Sequence, residues 1–144
     1  MSHDDRLPDP ARIVLRRRIE WIDTDAAGIY HWTTAFRLAE AAEAALHTAL
    51  GIADFTFGAT PRLAVSASFT RPLRFNDPVD VELVVAAIGR TSLDYRMAIS
   101  ADDGPAAEGS VKCCLIDPAT GRATPWPDDI RERLASGGLQ DAGR

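Results

Sequence analysis

The chain has 144 residues, of which 46% are hydrophobic and 26% are charged. These fractions are ordinary for a globular protein, and they exclude a largely disordered or a fibrous class. Sixteen lysines and arginines stand against 21 aspartates and glutamates, so the net charge is −5. A chain of this charge repels a polyphosphate backbone at long range, and we expect no nucleic-acid partner.

Several other classes are disfavoured by the sequence. No uncharged run approaches the roughly 20 apolar residues that cross a bilayer, so no membrane span is expected. The first ten residues, MSHDDRLPDP, lack the basic and apolar regions of a secretory signal, and we expect a cytoplasmic protein. Cys113 and Cys114 are adjacent and the histidines are scattered, a pattern that predicts no disulfide and no metal site. The sequence has no GxGxxG and no GxxxxGK(S/T) motif, and we expect no bound cofactor.

The chain begins with a predicted strand and a predicted long helix. Alternating apolar residues predict a strand from Ile13 to Ile22, with Leu15, Ile19 and Trp21 on one face. The turn-forming stretch DTDAAG follows it. No Gly or Pro interrupts residues 30–50, which predicts one amphipathic helix that ends at the C-cap Gly51.

The faces of this helix follow from its spacing. We expect the apolar face to carry Trp32, Phe36, Ala39, Ala42, Leu46, Ala49 and Leu50. We expect the opposite, mostly polar stripe to carry Arg37, Glu40, Ala44 and His47.

After the helix, apolar residues alternate with a period of two, which predicts strands. The alternating runs begin at Leu63, Val79, Leu93 and Val111, and a short helix-like piece, PDDIRERL, follows the last of them. Short turns such as IGRTS and ADDGP join neighbouring strands, which must therefore be antiparallel. We predict one α+β domain over residues 1–144, with an ordered core at about 11–134 and frayed ends.

The most informative segment is DTDAAG, between the first strand and the helix. Backbone N–H groups at a helix start have no intrahelical partner, and they favour the negative charge of an oxyanion. Asp25 beside such donors could act as a nucleophile or a general base in acyl transfer. The structural alternative is that Asp25, like Asp23, is an N-cap or an Asx-turn residue.

Four parts of the chain resemble the hotdog-fold acyl-CoA thioesterases of the 4-hydroxybenzoyl-CoA thioesterase type. They are RIEWIDTDAAGIYHW, the helix after it, TPRLAVSASFTRPLRFNDPVDVEL and IGRTSLDYRMAIS. The resemblance spans about residues 13–134, and its D-x-D-x-x-G junction is moderately specific. It implies the hotdog fold, in which an antiparallel sheet of about five strands wraps around one long central helix.

The resemblance also implies roles for individual residues. Asp25 takes the position of the catalytic carboxylate, and the backbone amide of Trp32 takes the position that polarises the thioester carbonyl. Further substrate or CoA contacts fall on Gly28 and Thr34, and on the turn that contains Arg90, Thr91 and Ser92. The family further implies a homodimer or homotetramer with the acyl pocket at the subunit interface.

The leading hypothesis is therefore a thioester hydrolase that acts on acyl-CoA or on an acyl-carrier thioester. The alternative is a hotdog module that binds such a thioester without hydrolysing it. A hydratase on the same fold is disfavoured because the junction lacks an aspartate followed by histidine about five residues later.

Several other polar and aromatic residues are expected to have structural roles. Glu40 and Glu43 could supply a second carboxylate, but we expect them to be solvated or paired with Arg37 and His47. Arg62 could face the acyl pocket in a dimer, but we expect an exposed surface arginine. The aromatic residues Trp32, Phe36, Phe55 and Phe57 could bind an acyl group, but we expect core positions for them.

Overall fold

The structure is a computed structural model that describes residues 6–143. Its strands are β1 (Arg12–Arg18), β2 (Arg62–Phe69), β3 (Pro78–Ile88), β4 (Ser92–Ala101) and β5 (Gly104–Cys114). Its α-helices are α1 (Thr33–Leu50), α2 (Ala53–Thr56) and α3 (Asp128–Ser136), and a short 3₁₀ turn spans Trp21–Asp23.

The five strands form one antiparallel sheet in the order β1-β3-β4-β5-β2. The register places apolar residues opposite one another, as in the pairs Leu15 with Val81 and Tyr95 with Val111. One face of β3, β4 and β5 is buried as the alternation predicted, since Val79, Val81, Leu83, Val85, Leu93, Tyr95, Met97, Ile99, Val111 and Cys113 are all buried.

Helix α1 packs on the buried face of the sheet. Its buried side chains include Ala35, Leu38, Ala39, Ala42 and Leu46. The small alanines let the helix axis lie close to the strands, where the interior is densely packed. The predicted C-cap is confirmed, because Gly51 adopts the left-handed conformation with φ of 74°.

The two edge strands differ in chemistry. Strand β1 carries four arginines in RIVLRRR, whereas β2, with the sequence RLAVSASF, has no charged residue after its first position. Leu63, Val65 and Phe69 of β2 are large apolar residues that remain exposed. A Cβ at Gly109 of β5 would collide with the carbonyl oxygen of Ser66, so glycine permits the close pairing of β2 with β5.

The predicted first strand and the predicted long helix were both longer than the elements in the structure. The first strand ends at Arg18, and the backbone then turns so that Trp21 is 75% exposed rather than on the inner face with Ile19. Helix α1 begins at Thr33 rather than at Tyr30, because residues 24–31 form a separate hydrogen-bonded loop with a bridge from Thr24 to Tyr30.

Some expected faces were also wrong. Trp32 is 59% exposed, and Phe55 and Phe57 of the segment around α2 are exposed as well. His47, expected on the polar stripe, is 1% exposed because buried side chains supply its hydrogen-bond partners.

The C-terminal tail is better fixed than its composition indicated. Leu139 forms a parallel bridge with Arg12, and Gln140 N–H donates to the Arg12 carbonyl. The first five residues, on which part of the targeting prediction rests, lie outside the described residues. Within residues 6–143, no helix is long and apolar enough to cross a membrane.

Candidate active site

The loop from Asp23 to His31 connects the 3₁₀ turn to α1 and carries the candidate carboxylate. Its two ends are joined, because the Asp23 carbonyl accepts from His31 N–H at 2.6 Å. The hydroxyl of Thr34 donates to the same carbonyl at 3.1 Å. Gly28 closes the turn that begins at Asp25 with φ of +80°, a conformation that favours glycine.

The Asp23 side chain is buried and fully engaged. Arg37 of α1 donates to it from Nε at 3.0 Å and from Nη2 at 2.7 and 2.8 Å, and Glu20 N–H donates at 2.7 Å. Charge-assisted bonds of this kind are stronger than neutral ones. Asp23 therefore has the structural role that the sequence allowed, and it anchors the loop to the helix.

Asp25 is exposed, and its two carboxylate oxygens differ. Oδ1 accepts from Ala27 N–H at 2.8 Å, which is the Asx turn that the structural alternative predicted. Oδ2 has no hydrogen-bond partner among residues 6–143. The N-cap position of α1 belongs to Trp32, so Asp25 does not cap this helix.

Asp25 and Trp32 line one open groove of about 540 Å³. The other residues that line it are Ile29, Tyr30, Phe69, Thr70, Arg71 and Pro72. Within the described part of the chain, no backbone carbonyl accepts from Trp32 N–H. The residues that line the groove therefore include one with an unpaired carboxylate oxygen, Asp25, and one with an unpaired backbone amide at the start of an 18-residue helix, Trp32.

Two further residues that line this groove, Tyr30 and Arg71, were not singled out from the sequence. The Tyr30 hydroxyl is buried with no hydrogen-bond partner among the described residues, and burial raises the pKa of this phenol. Arg71 pairs with Asp103 through both terminal nitrogens of its guanidinium, and Nη2 lies 2.9 Å from Asp103 Oδ2. This ion pair lowers the pKa of the Asp103 carboxyl.

The other predicted contacts lie elsewhere. Thr34 is buried against the Asp23 carbonyl, so its hydroxyl is engaged in the loop anchor. Arg90, Thr91 and Ser92 form the turn from β3 to β4, whereas Asp25 lies near the beginning of β3. The 11 residues of β3 span about 36 Å, so one chain does not bring this turn to Asp25.

The largest feature not predicted from the sequence is a buried hydrogen-bond network under α1, formed by Thr56, His47 and Tyr95. The Thr56 hydroxyl lies 2.6 Å from His47 Nδ1, and the Tyr95 hydroxyl lies 2.5 Å from His47 Nε2. Arg62 binds Glu43 through two nitrogens at 2.6 and 2.9 Å. Glu43 thus pairs with Arg62 rather than with His47, and Arg62 is half-buried rather than on the open surface.

Burial shifts the pKa values of the groups in and beside this network. It lowers the pKa of His47 and raises the pKa of Tyr95 well above its usual range. It also raises the pKa of Cys113 to about 12, so the thiol stays protonated at neutral pH. Across residues 6–143, no three His, Cys, Asp or Glu side chains cluster so as to hold a metal ion.

Comparisons with known proteins identify the class. The family model of the Thioesterase-like superfamily matches residues 18–134. The 1,4-dihydroxy-2-naphthoyl-CoA hydrolase of Prochlorococcus marinus (strain MIT 9313) is 27% identical over 143 residues, which cover 91% of this chain and 95% of that protein. The chain therefore belongs to the Thioesterase-like superfamily.

Solved structures show the same fold. A thioesterase from Thermus thermophilus, complexed with coenzyme A and Zn, gives a TM-score of 0.76 at 23% identity and covers 84% of this chain and 90% of its own. A 1,4-dihydroxy-2-naphthoyl-CoA thioesterase from Synechocystis gives 0.77 at 16% identity, with 85% and 95% covered. The predicted hotdog fold is confirmed. The prediction of a thioester hydrolase is confirmed at the level of the superfamily and of relatives that are CoA hydrolases. The narrower 4-hydroxybenzoyl-CoA type stays a prediction.

Proposed function

We propose that the protein hydrolyses acyl-CoA thioesters, with Asp25 as the catalytic carboxylate and the Trp32 amide as an oxyanion donor. The observation that supports this proposal is that Asp25, with an unpaired Oδ2, and Trp32, with an unpaired N–H, line the same groove. Membership in the superfamily over residues 18–134 supports the reaction class.

The chemistry follows from these two groups. Asp25 Oδ2 attacks the thioester carbonyl carbon, or it accepts a proton from a water molecule that attacks there. The carbonyl oxygen then carries negative charge, which Trp32 N–H and the positive end of the α1 dipole stabilise. Collapse of this tetrahedral species breaks the C–S bond and releases the CoA thiolate. On the nucleophilic route, water then hydrolyses the mixed anhydride and restores Asp25.

The proposed enzyme is a homodimer that pairs through β2. The outer edge of β2 has no strand partner among residues 6–143, and its apolar side chains Leu63, Val65 and Phe69 are exposed. An exposed edge strand with no charge beyond its first residue is a ready template for pairing with another chain. The arginines of β1 disfavour the same contact at the opposite edge of the sheet.

A second copy also offers a place for the turn containing Arg90, Thr91 and Ser92. Because this turn lies a full strand length from Asp25 of its own chain, we propose that it contacts the nucleotide end of CoA across the dimer. Arg90 is exposed at the tip of the turn, where its guanidinium can meet a phosphate.

The test is release of free CoA thiol from a panel of acyl-CoAs by the wild-type protein and by Asp25→Asn. We expect hydrolysis by the wild type and a loss of about 10²–10⁴-fold in kcat for the variant. Asp54→Asn, another exposed aspartate, serves as the matched control. Binding without turnover in both proteins would favour a binding module, in which the Asx turn is the whole role of Asp25.

A further inference from the structure

A second cavity, distinct from the Asp25 groove, lies between α1 and the sheet. Its volume is about 200 Å³. Most of its wall is apolar, while Glu43, Arg62 and Tyr95 contribute polar groups. The volume is below the roughly 300–1,000 Å³ of pockets that enclose a whole drug-sized ligand, so the cavity suits one end of a larger molecule.

The cavity follows the Asp25 groove along one face of α1. Trp32 lines the groove, Phe36 lines the cavity, and their rings meet edge to face with centroids 6.2 Å apart. Glu40 and Glu43 come four and seven residues after Phe36, and residues at such spacing share a helix face. Trp32 and Glu43 are therefore about 16 Å apart along the helix axis.

The polar groups of the cavity carry excess negative charge. Arg62 contacts Glu43 at 2.6 and 2.9 Å and Glu40 at 3.4 Å, so one guanidinium serves two carboxylates. Such a wall accepts hydrogen bonds and repels an anion. Glu43 is also only 13% exposed at its side chain, which strengthens its interaction with a group inside the cavity.

Resting on the proposed function, we propose that this cavity receives the far end of the acyl group and selects an end that carries a hydroxyl over one that carries a carboxylate. Glu43 is the specificity-determining residue, because its carboxylate accepts the hydrogen bond of the substrate hydroxyl. Arg62 holds Glu43 in place. The separation of about 16 Å calls for an extended acyl group that passes Phe36 before it reaches Glu43.

The experiment compares straight-chain acyl-CoAs of medium and matched length that end in a methyl, a hydroxyl or a carboxylate. For the wild type we expect kcat/KM to be about tenfold or more higher for the hydroxyl than for the carboxylate. Glu43→Gln removes one of the two carboxylates at Arg62. We expect this variant to lose the preference for the hydroxyl and to accept the carboxylate better.

The control is Glu132→Gln, which changes an exposed glutamate on α3 and should keep the wild-type ratios. Circular dichroism checks the fold of Glu43→Gln. Should that variant not fold, Ala39→Val narrows the cavity from its α1 side, away from the β2 edge, and we expect it to reduce turnover of the long substrates more than that of acetyl-CoA. Equal ratios in the wild type and Glu43→Gln, or a wild-type preference for the carboxylate, would overturn the proposal.

Calorimetric binding of the corresponding uncleavable thioethers separates this proposal from the proposed function. Hydrolysis of all three substrates with no dependence on Glu43 removes the specificity proposal alone. Selective binding of the hydroxyl thioether that depends on Glu43, without hydrolysis of any acyl-CoA, removes the proposed function and supports the cavity assignment.

Discussion

Arg37 donates three N–H···O hydrogen bonds of 2.7 to 3.0 Å to the Asp23 carboxylate, which lies 14 residues earlier in the sequence. The Asp23 side chain is 2% exposed, whereas that of Arg37 is 46% exposed. The backbone carbonyl of Asp23 meanwhile accepts from His31 and Thr34. One ion pair thus fixes the base of the loop that carries Asp25 to the first turns of α1.

We predict that Arg37→Gln lowers the unfolding free energy by about 1–3 kcal/mol, because the buried Asp23 carboxylate loses its charged partner. Arg37 is a positioning residue, so kcat should fall while KM for acyl-CoA changes little. Arg37→Lys should recover part of both losses. Thermal unfolding and steady-state kinetics measure the two effects.

The control for this prediction is Arg96→Gln, an exposed arginine on the outer face of β4. An Arg37→Gln protein with the stability and kcat of the wild type would contradict the anchoring role.

Trp32 offers a test of the oxyanion donor through the backbone. Its φ of −55° is close to the value that proline imposes, so Trp32→Pro removes the N–H with little backbone strain. We predict that kcat falls about 10²–10³-fold relative to Trp32→Ala, which keeps the amide and also lacks the indole. Circular dichroism verifies the helix, and equal kcat in the two variants would exclude the amide.

His47 makes stability depend on pH. Burial lowers its pKa in the folded state below the ordinary value of 6.5 that it regains on unfolding. Below that pH the unfolded chain binds a proton that the folded chain does not. The unfolding free energy contributed by neutral His47 is therefore fully present above about pH 6.5 and is lost as pH falls from there through the lower folded pKa.

Urea unfolding between about pH 5 and 8 should show this loss in the wild type. His47→Gln should be less stable at neutral pH, because Tyr95 and Thr56 lose a partner, but its stability should vary less over that range. His31→Asn should retain the wild-type slope. An identical slope in His47→Gln would assign the pH dependence to other groups.

The edge of β2 provides a test of assembly. Leu63 is 58% exposed, and Leu63→Lys places a charge on the proposed dimer edge. We predict a monomer by light scattering and a loss of hydrolysis, since the turn with Arg90, Thr91 and Ser92 is proposed to contact CoA across the dimer. Val14→Lys, at a 41% exposed position of β1, should stay dimeric. A dimeric Leu63→Lys protein would place the interface elsewhere.

The sequence predicted the strands with one buried face well. From Val79 to Val85 in β3 and from Leu93 to Ile99 in β4 every second side chain is buried, so alternation alone identified these strands. Alternation could not predict that the first strand ends at Arg18, because the turn after it depends on a hydrogen bond from Glu20 N–H to the Asp23 side chain. Nor could alternation predict that Arg37 forms an ion pair with Asp23.

His47 illustrates a second limit. A histidine on a helix is ordinarily assigned to the solvent side, and this one is buried because Tyr95, 48 residues later, meets its ring. The Glu43–Arg62 pair is also non-local, since it joins α1 to β2. Such contacts arise from tertiary packing. Asp25, in contrast, stood out because its turn-forming neighbours are local.

The unequal chemistry of the two sheet edges limits how the sheet can grow. Growth through β2 alone joins two copies by the same surface on each, and this leaves arginine-bearing β1 strands at both outer ends. In the proposed dimer, we expect repulsion between those ends to oppose further addition, so that the sheet would remain a two-fold pair instead of propagating as a fibre.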